Sequence, residues 1–238
     1  MYKYEMHMHT DEVSYCGQVP AAEQVRRYAA LGYSGVCVTD HLHSLYLMEQ
    51  GDGTDWQKYM DYHMRGFYLA KEEGEKLGID VILGAELRFP ENDRDYLIFG
   101  IDEQWLRNHP FICEMDHRAF FEKYKEEVLI IHAHPFRYND EVAYDCVHGL
   151  EIANGNPRHN SRNELALALA EAHPELIRVV GSDAHRDGDE GHCALLFSER
   201  IPDSHAFRNA LLRGQFKLWA PDFPDILEQN DRNLAVRA

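Results

Sequence analysis

The chain has 238 residues, and its 45% hydrophobic and 27% charged content is typical of a globular protein with a sizeable core. Its 41 acidic residues outnumber 24 Lys and Arg, and the formal charge of -17 disfavours long nucleic acids, whose phosphates are bound mainly by Lys and Arg. No apolar run approaches the roughly 20 residues of a membrane span, and the five cysteines include no CxxC pair. We therefore expect a cytoplasmic protein without membrane contact, a single domain over residues 1–238, and a tail from Asp225 to Ala238 that forms a surface helix or frays.

Short apolar runs that predict β-strands alternate with helical stretches along the chain. Pro20 and Gly32 bracket the first helix, the usual placement of these residues. Ser161 and Glu164 form a capping-box pattern ahead of a later helix. Further helices are predicted over Trp56–Leu77 and Ser204–Arg213, and shorter apolar runs over Ala194–Phe197 and Phe216–Ala220. The seven main runs are Tyr2–Met8, Gly35–Thr39, Ile79–Leu83, Tyr96–Ile101, Val128–Ile131, Gly149–Ile152 and Arg178–Gly181.

Histidines and acids follow nearly every main run. Strands that are almost continuously apolar predict a parallel sheet buried on both faces, whose functional residues gather at the carboxyl ends of the strands. His7 and His9 are separated by one residue, so an extended strand places both imidazoles on one face. Only the Tyr96–Ile101 run lacks an obvious ligand at its tip. The strand-end set is His7, His9, His41, Glu86, His132, His134, His159, Asp183 and His185. Imidazoles and carboxylates without thiolates suit zinc, manganese or iron.

Six short motifs recur at the ends of these runs: HMHT at His7, TDH ending at His41, GAE ending at Glu86, AHP around His134, LEIAN followed by His159, and SDAH from Ser182. Their order and spacing resemble the PHP (polymerase and histidinol phosphatase) superfamily of metal-dependent phosphoesterases. The resemblance extends to about position 190 and implies a distorted (β/α)7 barrel with two or three divalent metal ions at the strand carboxyl ends.

The resemblance also implies a ligand for each metal. It places His7, His9, Glu86 and Asp183 on the first metal, Glu86, His134 and His159 on the second, and His41 and His185 on the third. One ligand position differs from the family, because Ser14 and Tyr15 stand where an Asp or His is usual. The third site therefore needs Asp11, Tyr15 or water to complete it. The AHP motif favours His134 over His132, which is either a partner of a ligand or a packed strand-end residue.

The remaining histidines are interpreted without a catalytic role. His43 lines the loop from Leu42 to Asp55, which contains Gly51 and Gly53 and is expected to cover the site. Six others are taken as structural or surface residues: His63, His109, His117, His148, His173 and His205.

These residues and the resemblance lead to the hypothesis that a metal-bridging hydroxide hydrolyses a small phosphomonoester, such as histidinol phosphate, a nucleotide or a sugar phosphate. Asp183 and His185 are the predicted catalytic residues, with His185 or a metal-bound water as the proton donor. Among nearby cations (Arg88, Arg137, Arg158 and Arg162), Arg137 and Arg158 are favoured for binding the substrate phosphate. Two alternatives remain: an amidohydrolase, which would have a bridging Lys in place of Glu86, and a non-catalytic metal-binding domain.

Overall fold

The computed structural model describes residues 1–49 and 53–237, and only the backbone of residues 232–237. Gly51 of the predicted covering loop and Ala238 of the tail lie outside these residues. The strands are β1 (Tyr2–Met8), β2 (Gly35–Val38), β3 (His41–Leu42), β4 (Asp80–Leu83), β5 (Ala85–Arg88), β6 (Asp95–Phe99), β7 (Leu129–His132), β8 (Gly149–Asn154), β9 (Ile177–Gly181), β10 (Ala194–Phe197) and β11 (Lys217–Trp219). The helices are α1 (Ala21–Ala30), α2 (Ser44–Glu49), α3 (Trp56–Leu77), α4 (Glu103–Asn108), α5 (His117–Tyr124), α6 (Asn163–Ala172), α7 (Ser204–Leu212) and α8 (Pro224–Arg237).

The strands form two hydrogen-bonded sheets, ordered β11-β10-β1-β2-β4 and β3-β5-β6-β7-β8-β9. The chain passes almost directly from β2 into β3 and from β4 into β5, and a parallel bridge pairs Met8 with Ala184, just after β9. The two sheets therefore continue into one another around a shared interior. Their main-chain hydrogen bonds do not join into one closed barrel within residues 1–49 and 53–237.

The predicted α/β class is confirmed, and each of the seven main apolar runs contains a strand. One part of the expected parallel sheet is wrong, because β6 pairs antiparallel with both β5 and β7. The turn between β5 and β6 contains Pro90 and Asn92, residues that suit a hairpin connection. The amino end of β6 therefore shares an edge with the carboxyl ends of the parallel strands.

The capping box predicted at Ser161 and Glu164 is wrong, although the helix is present. α6 begins at Asn163 after Arg162, which has a left-handed backbone, and no side chain caps the helix. The Ser161 hydroxyl instead accepts hydrogen bonds from Arg137 at 3.1 and 3.3 Å. The predicted tail is helical as α8, and the Arg178 guanidinium donates to Asn230 of this helix at 2.8 Å.

Helix α3 supports the loop that follows β1. Its first turn is capped by Asp55, which accepts from the Lys58 amide, and Gly78 ends it in a left-handed conformation. In its middle, Gly66 lies so close to the loop that a Cβ there would stand 2.2 Å from Thr10 Oγ1 and 2.6 Å from Asp40 Oδ2. Glycine is therefore required where the helix meets this polar pair.

None of the helices in the described ranges combines the length and apolar character needed to cross a membrane.

Candidate metal site

Seven of the eight predicted metal ligands lie together at one edge of the sheets. Each is delivered by a strand or by the residues directly after one, as expected for functional groups on α/β sheets. Six are 8% exposed or less, and the His41 side chain is 13% exposed. The seven are His7, His9, His41, Glu86, His134, Asp183 and His185.

Glu86 lies at the centre of this group, with its two oxygens facing different imidazoles. Oε1 lies 3.2 Å from His7 Nε2 and 3.2 Å from His134 Nε2. Oε2 lies 3.3 Å from His9 Nε2 and 2.9 Å from His41 Nδ1. A carboxylate with this arrangement can bind one cation through each oxygen, which is the bridging role predicted for Glu86.

Asp183 lies beside two of these four imidazoles. Its Oδ1 lies 3.3 Å from His7 Nε2 and 3.4 Å from His9 Nε2, and its Oδ2 accepts from Arg137 Nη2 at 2.7 Å. Asp183 and His134 both have a positive φ, of 53° and 31°, which is uncommon for residues other than glycine. Strained backbone of this kind concentrates at functional sites, where the surrounding structure holds it in place.

Four sets of three side chains place one potential ligand atom each within 4.8 Å of one another. His9, His41 and His185 form the first, called here the three-histidine cluster. The other three sets are His7, His9 and Asp183; His7, Glu86 and His134; and His41, Glu86 and Asp95. The donors are imidazoles and carboxylates that converge in a buried space, so they suit zinc, manganese or iron.

Side chains behind the ligands orient their rings. Glu151 is fully buried; it accepts from His7 Nδ1 at 3.0 Å through one oxygen, and from the His134 amide and Asn154 Nδ2, each at 2.8 Å, through the other. Because His7 Nδ1 carries the proton, its Nε2 is left free for a cation. The sequence analysis used Glu151 only to mark spacing and missed this role.

Ser14 and Asp40 orient the ring of His9. The Ser14 hydroxyl donates to Asp40 Oδ1 at 2.7 Å and accepts from His9 Nδ1 at 3.3 Å and from the His41 amide at 3.1 Å. Ser14, which stands at the position where the family usually has a ligand, is therefore used to position His9. The Tyr15 ring is 57% exposed and packs edge-on against Tyr46.

Asp95 belongs to the site and was missed by the sequence analysis. It opens β6, forms one of the sets with His41 and Glu86, and its Oδ2 lies 3.9 Å from His134 Nε2. Arg88 on the neighbouring strand donates to both of its oxygens, at 2.7 and 2.8 Å. The sequence did contain a signal for this position. The turn residues between β5 and β6 indicate a hairpin, and a hairpin makes β6 antiparallel to β5 and brings its first residue to the site.

His159 and His132 lie near the site but join none of the four sets of ligands found in the described parts of the chain. His159 lines the adjoining cavity, and its Nδ1 lies 2.9 Å from the Tyr138 hydroxyl. Its role at the second metal stays a prediction. His132 is 1% exposed and stacks on Tyr96 with 4.7 Å between ring centroids. Burial and the neighbouring His134 hold the pKa of His132 well below its usual range, so this ring stays neutral.

A cavity of about 220 Å³ opens onto the ligands and is lined by five arginines. Both predicted substrate-binding residues line it, but each already has an acidic partner: Arg137 contacts Asp183, and Arg158 contacts Asp189. The other two arginines considered are also paired, Arg88 with Asp95 and Arg162 with Asp140. Of the five lining arginines, Arg94 and Arg186 form no ion pair with an acid of the described residues. Sequence proximity to a motif could not distinguish these two groups.

Cys16 also lines this cavity. Burial opposes ionisation of its thiol, but the nearby imidazoles of His185, His41 and His9 outweigh it and lower its pKa to about 5. It is the one exposed cysteine among the five, all of which lie in the described residues. The sequence analysis assigned no thiolate to the site.

The charges of the site balance one another. Burial raises the pKa of Glu86 and Asp183, but the surrounding imidazoles, and Arg137 beside Asp183, outweigh it and hold both pKa values well below the usual range. Burial and the charge of His41 lower the pKa of His9. Asp183 and Glu86 raise it by more, so the resulting pKa is about 9, above the usual value of a histidine. Without a cation the site is therefore held by imidazolium and carboxylate pairs, and a cation must displace the protons to bind.

The PHP domain family matches residues 5–187, which include every ligand described above. The chain belongs to the PHP domain family. Comparison with curated proteins gives no match.

Solved structures similar to this PHP domain include a two-domain protein from Bacteroides vulgatus that contains a predicted PHP-like metal-dependent phosphoesterase. It is 20% identical with a TM-score of 0.67, and the match covers 92% of this chain and 64% of that protein. A protein from Bifidobacterium adolescentis, named as a proposed metal-dependent phosphoesterase, is 15% identical with a TM-score of 0.53 over 88% of this chain and 96% of its own. An amidohydrolase from Chromobacterium violaceum, with bound sulfate and no metal, is 15% identical with a TM-score of 0.54 over 92% of this chain and 98% of its own. At these identities the likeness establishes the fold alone.

Proposed function

We propose that this PHP domain hydrolyses a small phosphomonoester with the help of two or three divalent metal ions. The observation that carries the proposal is the Glu86 carboxylate, whose two oxygens each face a pair of imidazoles at the edge of an arginine-lined cavity. The cavity volume of about 220 Å³ suits a small substrate such as histidinol phosphate, a nucleotide or a sugar phosphate.

Divalent cations bound here would activate water and offset negative charge on the phosphoryl group. His7, His9, Glu86 and Asp183 would hold the first, and Glu86 with His134 the second. Zinc, manganese and iron all suit this donor set. Asp183 has the additional task of fixing Arg137 at the wall of the cavity, through the contact of 2.7 Å to its second oxygen.

Arginines supply the binding site for the phosphate in this proposal. A guanidinium presents paired donors that match phosphate oxygens. Arg94 and Arg186 line the cavity without an acidic partner in the described part of the chain, so binding a phosphate breaks no existing ion pair of theirs. Arg137 and Arg158 remain proposed contacts, with orientations set by Asp183 and Asp189.

His185 is the proposed proton donor to the leaving group. Its Nδ1 donates to the Asp183 carbonyl oxygen at 2.8 Å, and its amide donates to Asp189 Oδ2 at 2.9 Å. These contacts fix the ring at the cavity wall and leave Nε2 as the atom that can exchange a proton or bind a cation. We also propose a cytoplasmic location, because all five cysteines are free thiols.

An amidohydrolase activity is the second candidate, favoured by the similar structure from Chromobacterium violaceum. Two observations favour the phosphatase. Glu86 stands where an amidohydrolase would have its bridging lysine, and no lysine is among the described residues that line the cavity. The sulfate held by that amidohydrolase is a tetrahedral oxyanion, which resembles the phosphate proposed here.

The test is phosphate release from a panel of phosphomonoesters, with manganese or zinc added and with a chelator as control. A second panel of amides and lactones is measured under the same conditions. We expect chelator-sensitive phosphate release with one preferred substrate. Hydrolysis confined to the amide and lactone panel would refute the phosphatase, and no hydrolysis by metal-loaded protein would favour the non-catalytic alternative.

Variants at the cavity wall test the phosphate contacts. Arg94→Ala and Arg186→Ala should each raise KM about tenfold or more with a smaller change in kcat, because binding of the phosphate is weakened in the ground state as well as the transition state. Arg65→Ala, at an exposed position on α3 away from the cavity, is the matched control. Unchanged KM in both cavity variants would show that the phosphate is bound elsewhere.

A further inference from the structure

The ligands of a third ion are left open by the proposed function. The family usually supplies one of them from the loop after β1, but the two residues at that spacing are engaged elsewhere, because Ser14 donates to Asp40 and Tyr15 packs on Tyr46. The three-histidine cluster has no carboxylate of its own to offset the charge of a buried divalent cation. An acidic ligand from another part of the fold would supply that charge.

Three neighbouring strands place such an acid beside His41. His41 on β3 pairs with Glu86 on β5, and Arg88, two residues later on β5, pairs with Asp95 on β6. Residues that pair directly across strands, and residues two apart on one strand, point to the same face of a sheet. The side chains of His41, Glu86 and Asp95 therefore share one face. One potential ligand atom from each lies within 4.8 Å of the others.

The Nδ1 atom of His41 is a buried polar atom without a hydrogen bond. It lies 2.9 Å from Glu86 Oε2, but the two atoms are not aligned for a hydrogen bond, and no other described residue provides one. Buried polar atoms are nearly always hydrogen-bonded, and an exception points to water or an ion that binds there. A cation bound by Nδ1 and by Glu86 Oε2 would satisfy this atom.

Asp95 is held in place by its backbone and by Arg88, and its side chain is only 6% exposed. Its carbonyl oxygen accepts from the Ala133 amide at 3.0 Å, and Arg88 donates one hydrogen bond to each carboxylate oxygen, at 2.7 and 2.8 Å. A carboxylate has about four lone-pair sites, so these bonds leave one on each oxygen for a cation. Carboxylates that bind metals are commonly oriented by such hydrogen bonds. Oδ2 lies 3.9 Å from His134 Nε2, which places it among the ligands.

We propose that Asp95 is the acidic ligand of a third divalent cation, which it binds together with His41 and Glu86. The inference deepens the proposed function and rests on the metal dependence proposed there. With two carboxylates and one imidazole, this is the most oxygen-rich of the four sets in the described residues. Carboxylates suit manganese, so this set binds manganese in preference to softer ions. The acid comes from the reversed strand β6, and the loop after β1 contributes none.

Manganese titration of the chelator-stripped protein tests the assignment in solution. Free manganese is measured by its electron paramagnetic resonance signal, which weakens when the ion is bound, and bound metal is counted by elemental analysis. Asp95→Asn keeps the shape of the side chain and removes its charge. We expect this variant to bind one manganese fewer per chain than the wild type. Affinity at the third site should fall about 100-fold or more, because loss of even a partner behind a ligand costs about 10- to 100-fold.

Asp93→Asn is the matched control. Asp93 is exposed, lies in the same hairpin and lines the same cavity, but it belongs to none of the four sets of ligands in the described residues. The control removes the same charge near the site, so we expect it to bind as many ions as the wild type. Circular dichroism and urea titration check the folding of both variants. Loss of the ion from both variants alike would show a general effect of charge and would overturn the assignment.

The position of the ion is tested in wild-type crystals grown with manganese, which needs no variant. Anomalous scattering locates each bound manganese. We expect one of them within about 2.0–2.5 Å of an Asp95 oxygen, the range of bonds between carboxylates and divalent cations. Manganese found only at the other sets of ligands would overturn the assignment of Asp95.

The outcomes separate this inference from the proposed function. An Asp95→Asn variant that binds as many ions as the wild type would overturn the assignment even if phosphate release is intact. A manganese ion bonded to Asp95 supports the assignment even if no phosphomonoester is hydrolysed. Protein that binds neither manganese nor zinc would overturn both.

Discussion

Replacing Glu151 by glutamine tests how the metal site is built, because the substitution keeps the shape of the side chain and changes only its hydrogen bonding. All three groups around this carboxylate are donors: His7 Nδ1 on one oxygen, and the His134 amide and Asn154 Nδ2 on the other. A glutamine has one oxygen and one NH₂ group. Its oxygen is expected to face the two donors, which leaves its NH₂ group facing His7.

The substitution is expected to change the tautomer of His7. To accept from the glutamine, Nδ1 must lose its proton, and the proton of the neutral ring then moves to Nε2. That atom lies 3.2 Å from Glu86 and 3.3 Å from Asp183, where a cation would bind. Loss of such a partner behind a ligand typically weakens metal affinity about 10- to 100-fold, or about 1.4–2.7 kcal/mol.

The assay is competition between the protein and a chromophoric chelator for zinc or manganese, with the wild type and Glu127→Gln as references. Glu127 is exposed and accepts a surface hydrogen bond from Trp105, so this variant controls for the loss of one charge. Long-range ¹⁵N–¹H spectra of the zinc-loaded protein report whether His7 Nδ1 carries a proton. An affinity within about twofold of the wild type, with His7 still protonated on Nδ1, would refute the reasoning.

Three further predictions follow from the same structure. His9→Ala should remove bound metal and abolish chelator-sensitive phosphate release, and variant protein that loses metal but keeps its turnover would contradict the mechanism. Gly66→Ala should lower the free energy of unfolding by about 1–2 kcal/mol in urea titrations, because overpacking against Thr10 and Asp40 outweighs the better helix propensity of alanine; an equal or more stable variant would argue against the tight contact. Burial lowers the pKa of His63 from 6.5 to about 4. As the pH falls below 6.5, the unfolded chain binds a proton at this residue while the folded protein does not. The stability present above pH 6.5 is therefore lost as the pH falls. Between pH 7 and 5 the wild type should lose about 2 kcal/mol more than His63→Leu in urea titrations with chelator present, and equal losses would contradict this.

The strand positions and the clustering of most candidate ligands could be predicted because they depend on local patterns. An apolar run followed by a histidine or an acid indicates both a strand and its functional end, and this pattern located His7, Glu86 and Asp183 correctly at the sheet edge. It failed at β6, which was taken as parallel. Since β6 is reversed, the residue at the site is Asp95 at its start, and the search at its far end found nothing.

Residues that act through a ligand could not be predicted, because their contacts join distant parts of the chain. Glu151 reaches His7 across 144 positions, and Asp40 reaches Ser14 across 26. No periodicity or motif records such pairs. The same limit applies to the arginines, since Asp189, the acidic partner of Arg158, comes beside it only when the loops after β8 and β9 meet.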